Sequence, residues 1–144
     1  MTTLETDIEI DAPAERVWAV LCDFAAYPEW NPFIVNIQGK AKPGARLTIQ
    51  LSVPGKPVMS FKPRLKVVAP PRELRWVGQV MAPGLLDGEH GFEITPLGPG
   101  RCRLRHVEDF SGVLLPLFVT ALRDSTRAGF EAMNRALKDR AERA

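Results

Sequence analysis

LPLFVTALRDSTRAGFEAMNRAL, residues 115–137, is where the reading of this chain turns. Leu115, Phe118, Leu122, Ser125, Gly129, Met133 and Leu137 recur at intervals of three and four. That spacing predicts one continuous helical stripe of about six turns, with Arg123, Arg127, Arg135 and Lys138 elsewhere on the surface. Pro116 fits only in the first turn of such a helix, where its missing N–H breaks no bond. A helix with a single apolar face must lay that face on something.

The preceding stretch supplies the partner. From Phe33 to Gly112 the apolar residues follow a period of two, interrupted by Pro and Gly, as in a meander of antiparallel strands. Phe33, Val35 and Ile37 share a face in a second strand, and Leu47, Ile49, Leu51 and Val53 in a third. A fourth carries Met59, Phe61, Leu65 and Val67, with Pro63 marking a bulge or an edge because it lacks a ladder donor. Leu74 and Trp76 belong to a fifth strand, Phe92 and Ile94 to a sixth, Leu104 and Phe110 to a seventh. The first strand lies upstream, with Leu4, Thr6, Ile8 and Ile10 on one side and Glu5, Asp7 and Glu9 on the other. Between strands one and two, Pro13 opens a helix with Val17, Leu21 and Phe24 on one face, and DFAAYPEWNP (23–32) reads as a second short helix or turn. The expected fold is α+β: a curved seven-stranded antiparallel sheet wrapped round a long C-terminal helix, with two short helices between strands one and two.

Composition agrees with one domain over residues 1–144, at 45% hydrophobic and 25% charged. Nineteen Lys and Arg against seventeen Asp and Glu leave a charge of +2, and the basic residues are scattered, so nucleic acid is not an expected partner. No stretch reaches the roughly 18 apolar residues of a membrane span, and Met1 to Glu5 lack a basic segment followed by an apolar run, so a cytoplasmic location is expected. Cys22 and Cys102 form no C-x-x-C pair and read as buried free thiols. Hydrolase, nucleotide and metalloprotease signatures (G-x-S-x-G, P-loop, dinucleotide fingerprint, H-E-x-x-H) are absent, and no cofactor is expected. Oligomeric state is not set by any of these features.

Three polar residues fall on apolar strand faces. His90 has the parity of Phe92 and Ile94, and His106 and Glu108 that of Cys102, Leu104 and Phe110. If Leu97 to Gly100 form the hairpin, His90 comes to lie across from either His106 or Glu108, and all three converge on the concave face. A carboxylate beside an imidazole raises the histidine pKa, and such a pair can move a proton on or off a bound carbonyl or phenol. The same groups can equally orient a ligand or satisfy one another. Zinc on Cys102, His106, Glu108 and His90 has no recognised spacing behind it, so no metal is expected.

YPEWNPF (27–33), DGEHGF (87–92), RELRWVG (72–78) and HVEDFSGVLLPL (106–117) together resemble the polyketide cyclase/dehydrase-type members of the START-like, helix-grip superfamily, which also holds a birch-pollen allergen and lipid-transfer domains. The resemblance covers almost the whole chain. It implies a pocket between the long helix and the sheet but no one reaction, since binding proteins, transfer proteins and cyclases share the fold. On this reading Trp76, Phe92, Leu104, Phe110, Phe118, Leu122, Gly129 and Met133 line the pocket, with roughly 300 Å³ or more expected inside it. Gly129 is the residue whose missing side chain leaves room. Trp30 and Asn31 either gate the mouth or serve as a packing plug and a turn residue. The first functional expectation is binding of a small hydrophobic molecule, lipid-like or aromatic polyketide-like. The alternative is a cyclase or dehydratase using His90, His106 and Glu108 for proton transfer, and a third reading is a module that recruits a protein partner.

Overall fold

The computed structural model describes residues 2–53, 55–80 and 84–143, and the side chains of all of these except residues 80 and 118–122. Strand β1 (Thr2–Ile10) leads into α1 (Ala14–Cys22), a single 3-10 turn (Phe24–Ala26) and the one-turn α2 (Tyr27–Trp30). Then come β2 (Ile34–Gln38), β3 (Thr48–Leu51), β4 (Met59–Phe61), β5 (Arg64–Ala69), β6 (Glu73–Val80), β7 (Leu86–Gly98), β8 (Arg101–Ser111) and α3 (Leu115–Arg143). Eight strands are described where seven were expected. The difference arises at Pro63, which lacks the N–H a continuous strand needs there. The stretch read as a fourth strand splits around it into β4 and β5, while the Pro63 carbonyl accepts from Leu47 N at 2.8 Å.

The strands form a five-stranded sheet in the order β1-β8-β7-β6-β5 and a three-stranded sheet β2-β3-β4, antiparallel throughout. A bridge between Arg46 and Arg64 and hydrogen bonds of 2.8 Å between Leu65 N and Ala45 O tie the approach to β3 onto the start of β5. In β2 the expected alternation slips: a register shift between Ile34 and Asn36 puts Ile34 and Ile37 inside and leaves Val35 half-buried.

Long helix α3 fills the concave side. Gly112, at φ +119°, makes the reversal out of β8, and a Cβ there would run into the Leu85 backbone. Pro116 sits in the first turn, as its chemistry requires. Further along, Phe130, Met133, Leu137 and Ala141 are fully buried against β1, β8 and α1 in one core with Leu4, Ile10, Val17, Leu21, Phe92 and Leu104. The helix end is anchored to β1 by polar contacts: Lys138 Nζ donates to Glu9 O at 3.2 Å and Asp11 N donates to Glu142 Oε2 at 2.8 Å.

On the outer face Arg75 lies over Gly91, where a Cβ would be 2.6 Å from its Cζ. Its guanidinium donates to Glu73 at 3.0 Å, Glu89 at 3.2 Å and Glu93 at 2.7 Å. Removing the side chain at position 91 is what lets one cation serve three carboxylates across β6 and β7. Both cysteines are free thiols, and no helix among the described residues is long and apolar enough to cross a membrane.

Candidate functional site

Two neighbouring rungs of the five-stranded sheet carry the polar cluster. Register pairs Trp76 with His90 and His90 with Glu108; on the next rung it pairs Phe92 with His106 and His106 with Thr6. Of the two registers open to the sequence, the hairpin after Gly98 selects the one with Glu108 opposite His90. His106 then sits diagonally to His90 on the same face, within side-chain reach. The result is a hydrogen-bonded line. His90 Nδ1 lies 2.7 Å from Glu108 Oε1, His90 Nε2 lies 2.7 Å from His106 Nε2, and His106 Nδ1 lies 2.8 Å from Asn134 Oδ1. Asn134 Nδ2 donates to Thr6 Oγ1 at 2.8 Å.

Aromatic rings hold the imidazoles in place. Trp76 stacks on His90 at 4.9 Å between centroids and 15° between planes, and Phe130 stacks on His106 at 3.7 Å and 5°. Phe130 and Asn134 are one turn apart on α3, so one helix face supplies both the ring above His106 and the amide at its edge.

Burial decides the charge state. His90 is pushed down to about 3, by burial first and by the Arg75 cation behind the sheet second. His106 is held well below its ordinary value by burial and then by His90, against the opposing pull of the Asn134 bond. Glu108 is pushed up to about 8 by burial, with the negative charges of Asp109 and Glu89 adding to it. The carboxylate was expected to raise the histidine pKa; burial and the Arg75 cation lower it instead. Burial acts against charge at all three groups and so favours a contact between an acid that holds its proton and neutral imidazoles.

His90 and Glu108 lie on the wall of a cavity of about 340 Å³ bounded by both sheets and by Ser125 and Thr126 of α3. Phe33, Ile49, Leu51, Phe61, Trp76 and Phe110 give it a largely apolar lining, and Lys56, Gln79 and Asp87 also border it. Of the expected lining residues, Trp76 and Phe110 are on this wall. Phe92, Leu104 and Met133 are not: each is fully buried in the solid core nearer β1. Gly129 is not either. A Cβ there would overlap the Phe33 ring, so the glycine admits a neighbouring side chain and leaves no void. The side chains of Phe118 and Leu122 lie outside the described residues.

Trp30 and Asn31 are not among the residues lining the cavity. Asn31 Oδ1 accepts from the backbone N–H of Phe33 and of Ile34, both at 2.9 Å, and so pins the exit of α2 onto β2. Trp30 packs on Tyr27 at 5.1 Å, and the Tyr27 hydroxyl donates to Leu21 O at 2.6 Å. Trp30 Nε1 and Asn31 Nδ2 are buried with no hydrogen-bond partner among the described residues. Those residues also contain no cluster of His, Cys, Asp and Glu arranged for a metal ion.

Asn134 and Phe130 are the site residues that periodicity did not single out, whereas Thr6 already shared the face of Leu4, Ile8 and Ile10 in the first strand. The spacing 130, 134, 137, 141 was present in the chain as a second stripe beside the first, and a polar residue in its middle was the available signal. The three-stranded sheet's share of the wall had no such signal, because an alternating strand reads alike whether it faces core or cavity.

Residues 1–142 match the family described as polyketide cyclase/dehydrase and lipid transport. The chain belongs to that family. No curated protein matches it. Among solved structures, this polyketide cyclase/dehydrase family member resembles a START superfamily protein from Mycobacterium smegmatis, with 24% identity, a TM-score of 0.79 and 98% and 97% of the two chains covered. It also resembles the Zhui aromatase/cyclase from a Streptomyces species, at 20% identity, TM-score 0.77 and coverage of 99% and 94%. A norcoclaurine synthase from Thalictrum flavum in complex with dopamine and hydroxybenzaldehyde is similar at 14% identity, TM-score 0.72 and coverage of 96% and 84%. Identities this low speak for the START-like, helix-grip fold and leave the chemistry of this family member to its own residues.

Proposed function

We propose that the protein binds a small, mostly apolar molecule in the cavity beside His90 and Glu108, with an aromatic or polyketide-like skeleton favoured. The observation that carries this reading is an apolar chamber of about 340 Å³ bordered by a part-buried acid–imidazole pair. The volume is at the lower end of the range for small-molecule sites, which suits one or two fused rings better than a long acyl chain. Trp76 and Phe110 offer ring faces, and a ligand's polar group would be drawn to Glu108. Family membership supports a pocket of this kind, and two of the similar folds carry names that involve aromatic compounds. Native mass spectrometry of protein purified from its own host, with identification of any co-purifying compound, tests the reading. Leu51→Trp would fill the chamber from β3. A folded L51W variant that holds its ligand or a hydrophobic probe as tightly as the parent would move the site elsewhere.

A second reading, proton transfer of the cyclase or dehydratase kind, is favoured by the position of Glu108. An acid that titrates near 8 on a cavity wall is close to the working range of a general acid. Once a substrate is identified, Glu108→Gln should reduce turnover roughly 10²- to 10⁴-fold if the acid transfers a proton, and change affinity alone if it only binds.

A further inference from the structure

The line from Glu108 to Thr6 has a direction, and its end is not in the cavity. Asn134 is the member of the line whose carboxamide has distinct, non-titrating donor and acceptor ends, and it turns Oδ1 to His106 and Nδ2 to Thr6. An acceptor at His106 Nδ1 requires the proton of that imidazole to be on Nδ1. A neutral His106 then accepts at Nε2, so His90 must donate from its own Nε2. Burial disfavours the imidazolium form of His90, and a neutral His90 accepts at Nδ1, so the proton between it and Glu108 Oε1 comes from the carboxyl group. Asn134 and His106 are buried at 2% and 0% exposure, so solvent does not substitute for a missing partner.

We propose that Asn134, from outside the cavity, is a positioning residue that fixes the two imidazole tautomers and so presents Glu108 to the ligand as an un-ionised acid. Its Oε1–H is committed to His90. The other oxygen, Oε2, lies over Gly88, a residue of the cavity wall where a Cβ would collide with it, and it faces a ligand as a carbonyl-type acceptor. The ligand class that fits is an apolar molecule carrying a hydroxyl group, a phenol or an alcohol, and the class disfavoured is its carboxylate analogue. This ligand assignment rests on the binding reading above, while the tautomer assignment does not.

Several charges bear on Glu108. Asp109 beside it on β8 and Glu89 on β7 oppose its ionisation, whereas Arg75 on β6 acts from the far side of the sheet on His90. Lys56 and Asp87 border the same cavity, and α3 contributes the uncharged Ser125 and Thr126.

Imidazole nitrogen NMR on the intact protein near pH 6.5 reads the line directly. The expected pattern is His90 protonated on Nε2 and His106 on Nδ1, both neutral. The same tautomer at both histidines, or an imidazolium at either, overturns the proposal. Asn134→Asp provides the second arm. A carboxylate at that position favours a cationic His106 that donates from Nε2, so His90, which residue 134 does not touch, is expected to move its proton to Nδ1. A folded N134D protein in which His90 keeps its tautomer argues against control by Asn134. For the ligand, 2-naphthol is expected to bind at least about tenfold more tightly than 2-naphthoate at the same pH. Equal binding of the two overturns the ligand class. Binding of neither overturns the binding reading, and the NMR pattern still decides the tautomers by itself.

Discussion

Glu108 and His90 titrate in opposite senses, and each leaves its mark on stability. The carboxyl has an ordinary value of 4.5 and is pushed up to about 8 in the fold. Between those limits the native state holds a proton that the unfolded chain has released, so stability from this group is full below 4.5 and declines as pH rises through 8. His90 falls from 6.5 to about 3, so its contribution is present above 6.5 and is lost as pH drops through that window. His106, also held well below its ordinary value, adds a second rising slope, so up to 6.5 the two histidines outweigh the carboxyl and the parent protein should be most stable near pH 6.5. Glu108→Gln keeps a neutral donor for His90 and removes the alkaline decline. In urea titrations the variant should gain on the parent as pH rises from 5 to 9, by on the order of 3 kcal/mol. A difference independent of pH would mean Glu108 is ionised throughout. Asn31 makes a contrasting case. Its side-chain oxygen holds two backbone N–H groups and carries no charge, so Asn31→Ala should cost about 1 to 2 kcal/mol in urea titrations at every pH. A loss that varies with pH would mean that Asn31 is coupled to the titrating line.

Elements were read from the chain with uneven success, and the reason differs from one to the next. The period of two from residue 33 onward and the stripe from 115 onward identified sheet and helix, because burying one face repeats the same choice at fixed intervals. The convergence of His90, His106 and Glu108 followed from parity once the apolar faces of the two strands were matched, because a slip of one residue would have turned one apolar face outward. Parity says nothing about depth along the helix. The cavity therefore lies nearer β4 and the first half of α3 than the stripe suggested, and the midpoint at Gly129 is packed solid. Gly129→Ala makes this measurable. Helix propensity would improve by about 1 kcal/mol, but the new methyl meets the Phe33 ring, which also packs edge-on to Phe130 at 5.7 Å. Crowding of about 1 to 3 kcal/mol should prevail, so thermal denaturation is expected to show a net loss, with probe binding altered because Phe33 also borders the cavity. A stabilised variant would mean that the ring has room to move.

Across the whole molecule, order should not be uniform. The β7–β8 ladder runs through the middle of the larger sheet with Phe92 and Leu104 fully buried, whereas β4 is a three-residue edge strand whose Met59 is 45% exposed. Amide hydrogen exchange should therefore release Met59–Phe61 orders of magnitude sooner than His90–Ile94 and Leu104–Val107. Equal protection would deny that the wall beside β4 is the yielding side of the cavity. The pairing of β1 with β8 carries a different consequence. Thr2 meets Phe110 and Ile10 meets Cys102, so β1 has no partner until on the order of a hundred more residues have been made. Until then Leu4, Ile8 and Ile10 remain an uncovered edge. A nascent chain arrested before Arg101 lacks both the partner for that edge and the acid for His90, so one eleven-residue strand supplies the pairing of β1 and the carboxyl of the site together.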